Sequence, residues 1–318
     1  MESTLQTEDL TLNNIIPVGN DRCFLCGAKL SAENRTKEHV YPKWLQKKFN
    51  LANQSMVLLN STKIKYHNLT VPCCRLCNEK MSKEIEKPVE IMVKAGYDSF
   101  VKMDRNIVFQ WLNKLAYGIL YKEISLAIDR KNINSGSIYD VDNFKERKME
   151  YLFLKSIICD TKFHEKPYSI LVFKIKNETL RYWSWENPFF HTFCMQLNDI
   201  GIVANLLDNG CNERAWMENK KYSGLLEKDL HPLQFLEVCA RFAYKCSLFL
   251  KTPTYLSVFD KNDKLTDIVS SDINGEVFKR WDQEEYARIF DYFIVSNNYT
   301  FSGGKTYKGN GLVATTLF

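Results

Sequence analysis

A chain of 318 residues, 45% hydrophobic and 25% charged, is long enough for two domains and has the composition of a soluble globular protein. It contains no run of about 18 or more apolar residues, which excludes a conventional transmembrane helix. The formal net charge of +5 is uneven: residues 20–87 hold 13 Lys and Arg against 6 Asp and Glu, so the remainder is slightly acidic. A basic stretch of this kind attracts phosphate backbones.

Residues 1–19 show no periodicity and read as an N-terminal arm. Their start is acidic and lacks a basic-then-apolar signal pattern, so a cytoplasmic location is expected. Residues 20–88 hold two Cys-x-x-Cys pairs and form the first module. Its end is expected at Pro88, which breaks the helical pattern of Asn78–Lys87. Residues 89–318 read as an α+β accessory domain. Asp104–Arg130 has an apolar stripe (Ile107, Trp111, Leu115, Ile119) and predicts one amphipathic helix. Residues 131–147 are polar, with a turn at Asn134–Ser137. Residues 148–161 predict a helix ending near Asp160.

Four strands follow in the sequence pattern. Tyr168–Ile175 and Thr179–Trp185 read as one hairpin, and Phe189–Leu197 and Ile200–Leu207 as a second, joined by Asn198-Asp199. Together they predict an antiparallel meander. Helices are predicted over Pro232–Phe249 and residues 281–291, with a short strand over Pro253–Phe259. Gly304-Lys-Thr306 resembles the end of a phosphate-binding loop, but Tyr299 stands where its first Gly is needed, so no nucleotide site is assigned. Tyr182, Trp183, Trp185, Phe189, Phe190 and Phe193 are expected in core and hairpin pairing. His191 and His231 lack partners at metal spacing and are expected to be structural.

The ten cysteines carry the strongest chemical signal. Cys73, Cys159, Cys194, Cys211, Cys239 and Cys246 are scattered among apolar neighbours and read as buried thiols. Cys23/Cys26 and Cys74/Cys77 are two knuckles, each placing two sulfurs at neighbouring tetrahedral positions, which predicts a structural Zn2+ on four thiolates. Cys74 fits this spacing better than Cys73. The 47 residues between Cys26 and Cys74 exceed the roughly 15–20 of a simple zinc ribbon, so something is built inside the loop. That loop contains Glu38 and His39, and Asn78 follows the last cysteine. A carboxylate and an amide oxygen can hold a hard divalent cation, and an imidazole can act as a general base near neutral pH.

Glu38-His-x-x-Pro-x-Trp-Leu45 between two Cys-x-x-Cys pairs, the second followed by Asn78, resembles the HNH endonuclease family of the ββα-metal fold, in its stand-alone bacterial form. The resemblance covers about a fifth of the chain. It implies a zinc-stapled module that hydrolyses DNA phosphodiester bonds. Glu38 and Asn78 would hold a catalytic Mg2+ or Mn2+, and His39 would activate the attacking water. Asn68 would brace the loop, with Asn60 as a competitor for that place. It also implies a role against invading DNA. Lys43, Lys47, Lys48 and Arg75 are candidate phosphate contacts, and Trp44 is expected to pack on the module. DNA is therefore the expected partner, and a protein partner or a homodimer would use the C-terminal domain. Two other readings stand beside this one: a zinc-dependent nucleic-acid-binding protein without catalytic activity, and a protein-interaction module.

Overall fold

The computed structural model describes residues 16–17, 19–124, 126–138, 147–176, 181–271, 273–299, 306–309 and 312–318. Most of the predicted N-terminal arm, and the Gly-Lys part of the loop-like tail, lie outside them. The fold is mixed α+β with small antiparallel sheets. It divides into two compact units. The first comprises residues 1–90, 106–162 and 257–267, and the second residues 91–105, 163–256 and 268–318. Among the described residues no helix is long and apolar enough to cross a membrane.

The first unit contains the cysteine module. Strand β1 (Arg35–His39) pairs antiparallel with β4 (Thr70–Cys74), with Glu38 opposite Val71 and His39 opposite Thr70. Between them lie helix α1 (Lys43–Lys48) and the hairpin β2 (Ser55–Val57) with β3 (Lys63–Lys65). Helix α2 (Arg75–Met81) follows β4 directly. The helical path does not stop at Pro88. A wide π turn, Ser82–Glu86, leads into α3 (Lys87–Ala95). Proline has no N–H to donate and its ring crowds the carbonyl four residues back, here that of Glu84. Widening the turn around Glu84 accommodates Pro88 without ending the helix.

Helix α4 is shorter than its sequence pattern suggests, running Arg105–Ile124. The residues beyond it form a hairpin, β5 (Ala127–Asp129) with β6 (Asn132–Ser137), which replaces the predicted helix end and polar connection. Nor is the helix amphipathic in its surroundings. From Val108 onward almost every side chain is buried, including Asn113, Lys114 and Glu123. The apolar stripe identified one packed face, while the opposite face is covered as well. Gly118 explains how closely α4 packs. A Cβ there would stand 2.8 Å from Val40 Cγ1, so only glycine admits the segment after β1. Helix α5 (Lys148–Cys159) also belongs to this unit and ends where predicted, with Asp160 in the left-handed region at φ 54°.

The second unit is organised on a five-stranded sheet: β7 (Ser169–Ile175), β8 (Tyr182–Asn187), β9 (Thr192–Leu197), β10 (Ile200–Asn205) and the short β11 (Asp229–Leu230). The second predicted hairpin is present, with Leu197 opposite Ile200. The first is not. β7 pairs with β10 and β8 with β9, giving the order β11-β7-β10-β9-β8. Burial supplies the reason. Six of the seven β7 residues are buried, as suits an interior strand, whereas all six β8 residues are only half-buried, as suits an edge.

Helix α7 (Pro232–Ser247) and helix α8 (Gln283–Ser296) pack against this sheet through Phe235, Val238, Phe242, Tyr286, Phe290 and Phe293. Between β10 and α7 lies the helix α6 (Cys211–Glu218). His231 is structural, as expected. It caps α7, accepting from Leu233 N while its own N–H donates to Gln234 Oε1. Trp183 and Trp185 pack on Phe293. Phe189 and Phe190 are exposed instead, because they sit in the turn between β8 and β9 rather than in a strand.

Candidate metal centre and adjoining polar site

The two knuckles converge. The four sulfurs of Cys23, Cys26, Cys74 and Cys77 all lie within 4.8 Å of one another. Zn–S bonds of about 2.3 Å put tetrahedral sulfurs about 3.8 Å apart, and Cys26 Sγ lies 3.8 Å from Cys74 Sγ. Four soft donors at this separation can hold a metal ion such as zinc. The first knuckle turns through Gly27 at φ +74°, with Gly27 N donating to Cys23 O at 2.9 Å. It is tied to β4 by Phe24 N donating to Pro72 O, and to α5 by Tyr151 Oη donating to Leu25 O. Cys73 is outside the group of four, although its sulfur lies 3.9 Å from that of Cys23. The remaining scattered cysteines are buried free thiols. Hydrogen-bond sharing among Cys23, Cys26, Cys73 and Cys77 lowers the Cys23 thiol and raises that of Cys26.

Glu38 and His39 are the last two residues of β1, at the opposite end of the strand from Arg35, which pairs with Cys74. Thr36 and Glu38 share one face of the strand, since side chains alternate. Asn78, half-buried on α2, donates from Nδ2 to Thr36 Oγ1 at 3.2 Å, and Thr36 Oγ1 donates to Cys73 O. No hydrogen bond joins Asn78 to Glu38. The partner of Glu38 is Lys114, which reaches it from α4: Nζ lies 2.7 Å from Glu38 Oε1 and 2.7 Å from Glu86 Oε1. The same ammonium donates to His39 O at 2.6 Å and to Val40 O at 2.9 Å.

The electrostatics follow from this packing. Burial raises the Glu38 carboxyl, Lys114 opposes that, and the neighbouring Glu86 adds to it. Burial alone would lower the Lys114 ammonium, but Glu38 and Glu86 outweigh it and the net direction is up. His39 is half-buried and held below the ordinary imidazole range, first by burial and then by the positive charges of Lys43 and Lys114. It is therefore neutral at physiological pH, the form in which an imidazole can accept a proton.

The other candidates are scattered around this core. Asn68 is exposed at the end of the 3-10 turn Tyr66–Asn68 and makes no side-chain hydrogen bond among the described residues. Asn60 does brace a turn, accepting from Thr62 N and donating to Ala127 O. Lys43 and Lys47 are exposed on α1, while Lys48 lies over the Phe49 ring. Arg75 is exposed and donates to Glu33 O. Trp44 stacks on Trp111 of α4.

Sequence reasoning missed Lys114 and Glu86. The one sign of Lys114 was a lysine inside an apolar helical run, one turn before Gly118. Glu86 gave no sign, because its placement depends on the π turn. No family model, no curated protein and no solved structure matches this chain.

Proposed function

We propose that the cysteine-stapled module hydrolyses phosphodiester bonds in DNA, with His39 as general base. The observation that carries this reading is the half-buried, neutral imidazole at the end of β1, on the β1–β4 strand pair whose other end carries Cys74 and leads into the helix that bears Asn78. His39 takes a proton from water, and the resulting hydroxide attacks phosphorus in line. The P–O3′ bond breaks, the 3′ oxygen takes a proton from solvent, and the product carries a 5′ phosphate. Lys43 and Lys47, one turn apart on the exposed side of α1, meet the phosphate charge. Zinc on Cys23, Cys26, Cys74 and Cys77 is scaffold. The catalytic Mg2+ or Mn2+ implied by the HNH resemblance does not fit Glu38 as folded, because that carboxylate already faces the Lys114 ammonium.

Incubating supercoiled plasmid with the full chain in Mg2+, in Mn2+ and in chelator tests the reading. Conversion to nicked or linear plasmid with 5′-phosphate ends is expected in at least one of these three conditions. Plasmid binding without conversion in any condition would leave a zinc-dependent binding protein. No binding at all would leave a protein-interaction module.

A further inference from the structure

Lys114 is only 1% exposed, yet it carries a full charge into the interior of the first unit. A buried ion pair seldom stabilises a fold more than well-packed apolar side chains would. What an ammonium supplies, and a leucine would not, is positive charge and three directed N–H donors. Here those donors meet four oxygens. One belongs to Glu86, and three belong to the consecutive residues Glu38, His39 and Val40. Gly118, one turn further along α4, lets the helix backbone come close enough to Val40 for this reach. The π turn ahead of Pro88 ends on Glu86, which supplies the second carboxylate. Two carboxylates around one cation are the donor set that would otherwise suit a divalent ion.

We propose that Lys114 is the resident cation of the Glu38–Glu86 carboxylate pair, and that this ammonium keeps divalent metal off Glu38. The proposal places a built-in charge where the HNH resemblance puts a metal ligand. It rests on the hydrolytic reading only for its relevance to catalysis, since the charge arrangement stands independently. Removing the ammonium leaves the buried Glu38 and the partly buried Glu86 facing one another, and a divalent ion can then compete with a shared proton to neutralise them.

The test is Mn2+ binding to the zinc-loaded full chain without DNA, followed by the electron paramagnetic resonance signal of free Mn2+. Glu38→Gln in the otherwise unchanged protein is expected to alter Mn2+ affinity by less than twofold. Lys114→Met is expected to tighten it at least tenfold. Adding Glu86→Gln to Lys114→Met is expected to cancel that gain, and Lys114→Arg, which keeps the charge, to show none of it. Two results would overturn the proposal. One is a tenfold or greater loss of Mn2+ affinity on Glu38→Gln, which would make Glu38 a metal ligand with Lys114 in place. The other is unchanged Mn2+ affinity in a folded Lys114→Met protein. Should Lys114→Met fail to fold, the Glu38→Gln comparison decides by itself. Because no cleavage is measured, failure here is separate from failure of the nuclease reading.

Discussion

Cys73 and Cys74 are neighbours in one strand, but only Cys74 joins the four-sulfur group. The choice was legible in the spacing, because a two-residue gap sets both sulfurs of a knuckle on one side. Cys74→Ser or Cys77→Ser should therefore lose most of the bound zinc and lower the melting temperature of the first unit. Cys73→Ser should retain close to one zinc per chain. Metal analysis of the dialysed variants checks this, and equal loss in all three would contradict the ligand set.

A second residue-scale prediction concerns Asp208, which is fully buried. It accepts from Ser169 Oγ, Gly210 N, Asn212 N and Asn212 Nδ2, and burial raises it to about 6 in spite of those donors. A carboxyl raised above its unfolded value of 3.8 adds stability below that pH and loses it as pH rises through about 6. Between pH 4 and 7, wild type should lose up to about 3 kcal/mol relative to Asp208→Asn. Denaturant titrations across that range measure the difference, and a constant difference would contradict the shift.

At the scale of elements, most helices and strands were legible, but of the two predicted strand pairings only the second was right. The predicted β7 and β8 are both present, but pairing depends on which strand the core must cover from both sides. Local pattern carries little of that information. Asn198-Asp199 was read correctly as a turn because Asn198 takes a positive φ of 57° and the two flanking strands pair through it. Pro88 misled for the opposite reason, since its local rule holds only where the helix cannot widen. The reach of Lys114 across 75 residues to His39 is tertiary and has no short-range sequence signature. Gly118 sits at the same contact. Gly118→Ala should destabilise the first unit by about 1–3 kcal/mol, because the added methyl must displace Val40 or the helix. Chemical denaturation checks this, and a stabilised Ala variant would show that the approach is looser than 2.8 Å implies.

On the scale of the whole molecule, the surplus positive charge belongs to the stretch that carries the sulfur centre and His39. If Lys43, Lys47, Lys48 and Arg75 each meet one phosphate, DNA affinity should fall about 100-fold between 50 and 200 mM salt. Lys43→Ala should reduce that salt slope by about one unit without changing sequence preference. Among the described residues of the second unit, the sheet and helices share a packed apolar core. The most direct measurement compares wild type with His39→Ala on supercoiled plasmid in Mg2+ and in Mn2+, with zinc content and melting temperature recorded for both. Cleavage by wild type and its loss in a zinc-loaded, folded His39→Ala protein is the expected result. Equal cleavage by the two proteins would contradict the assignment of His39 as general base.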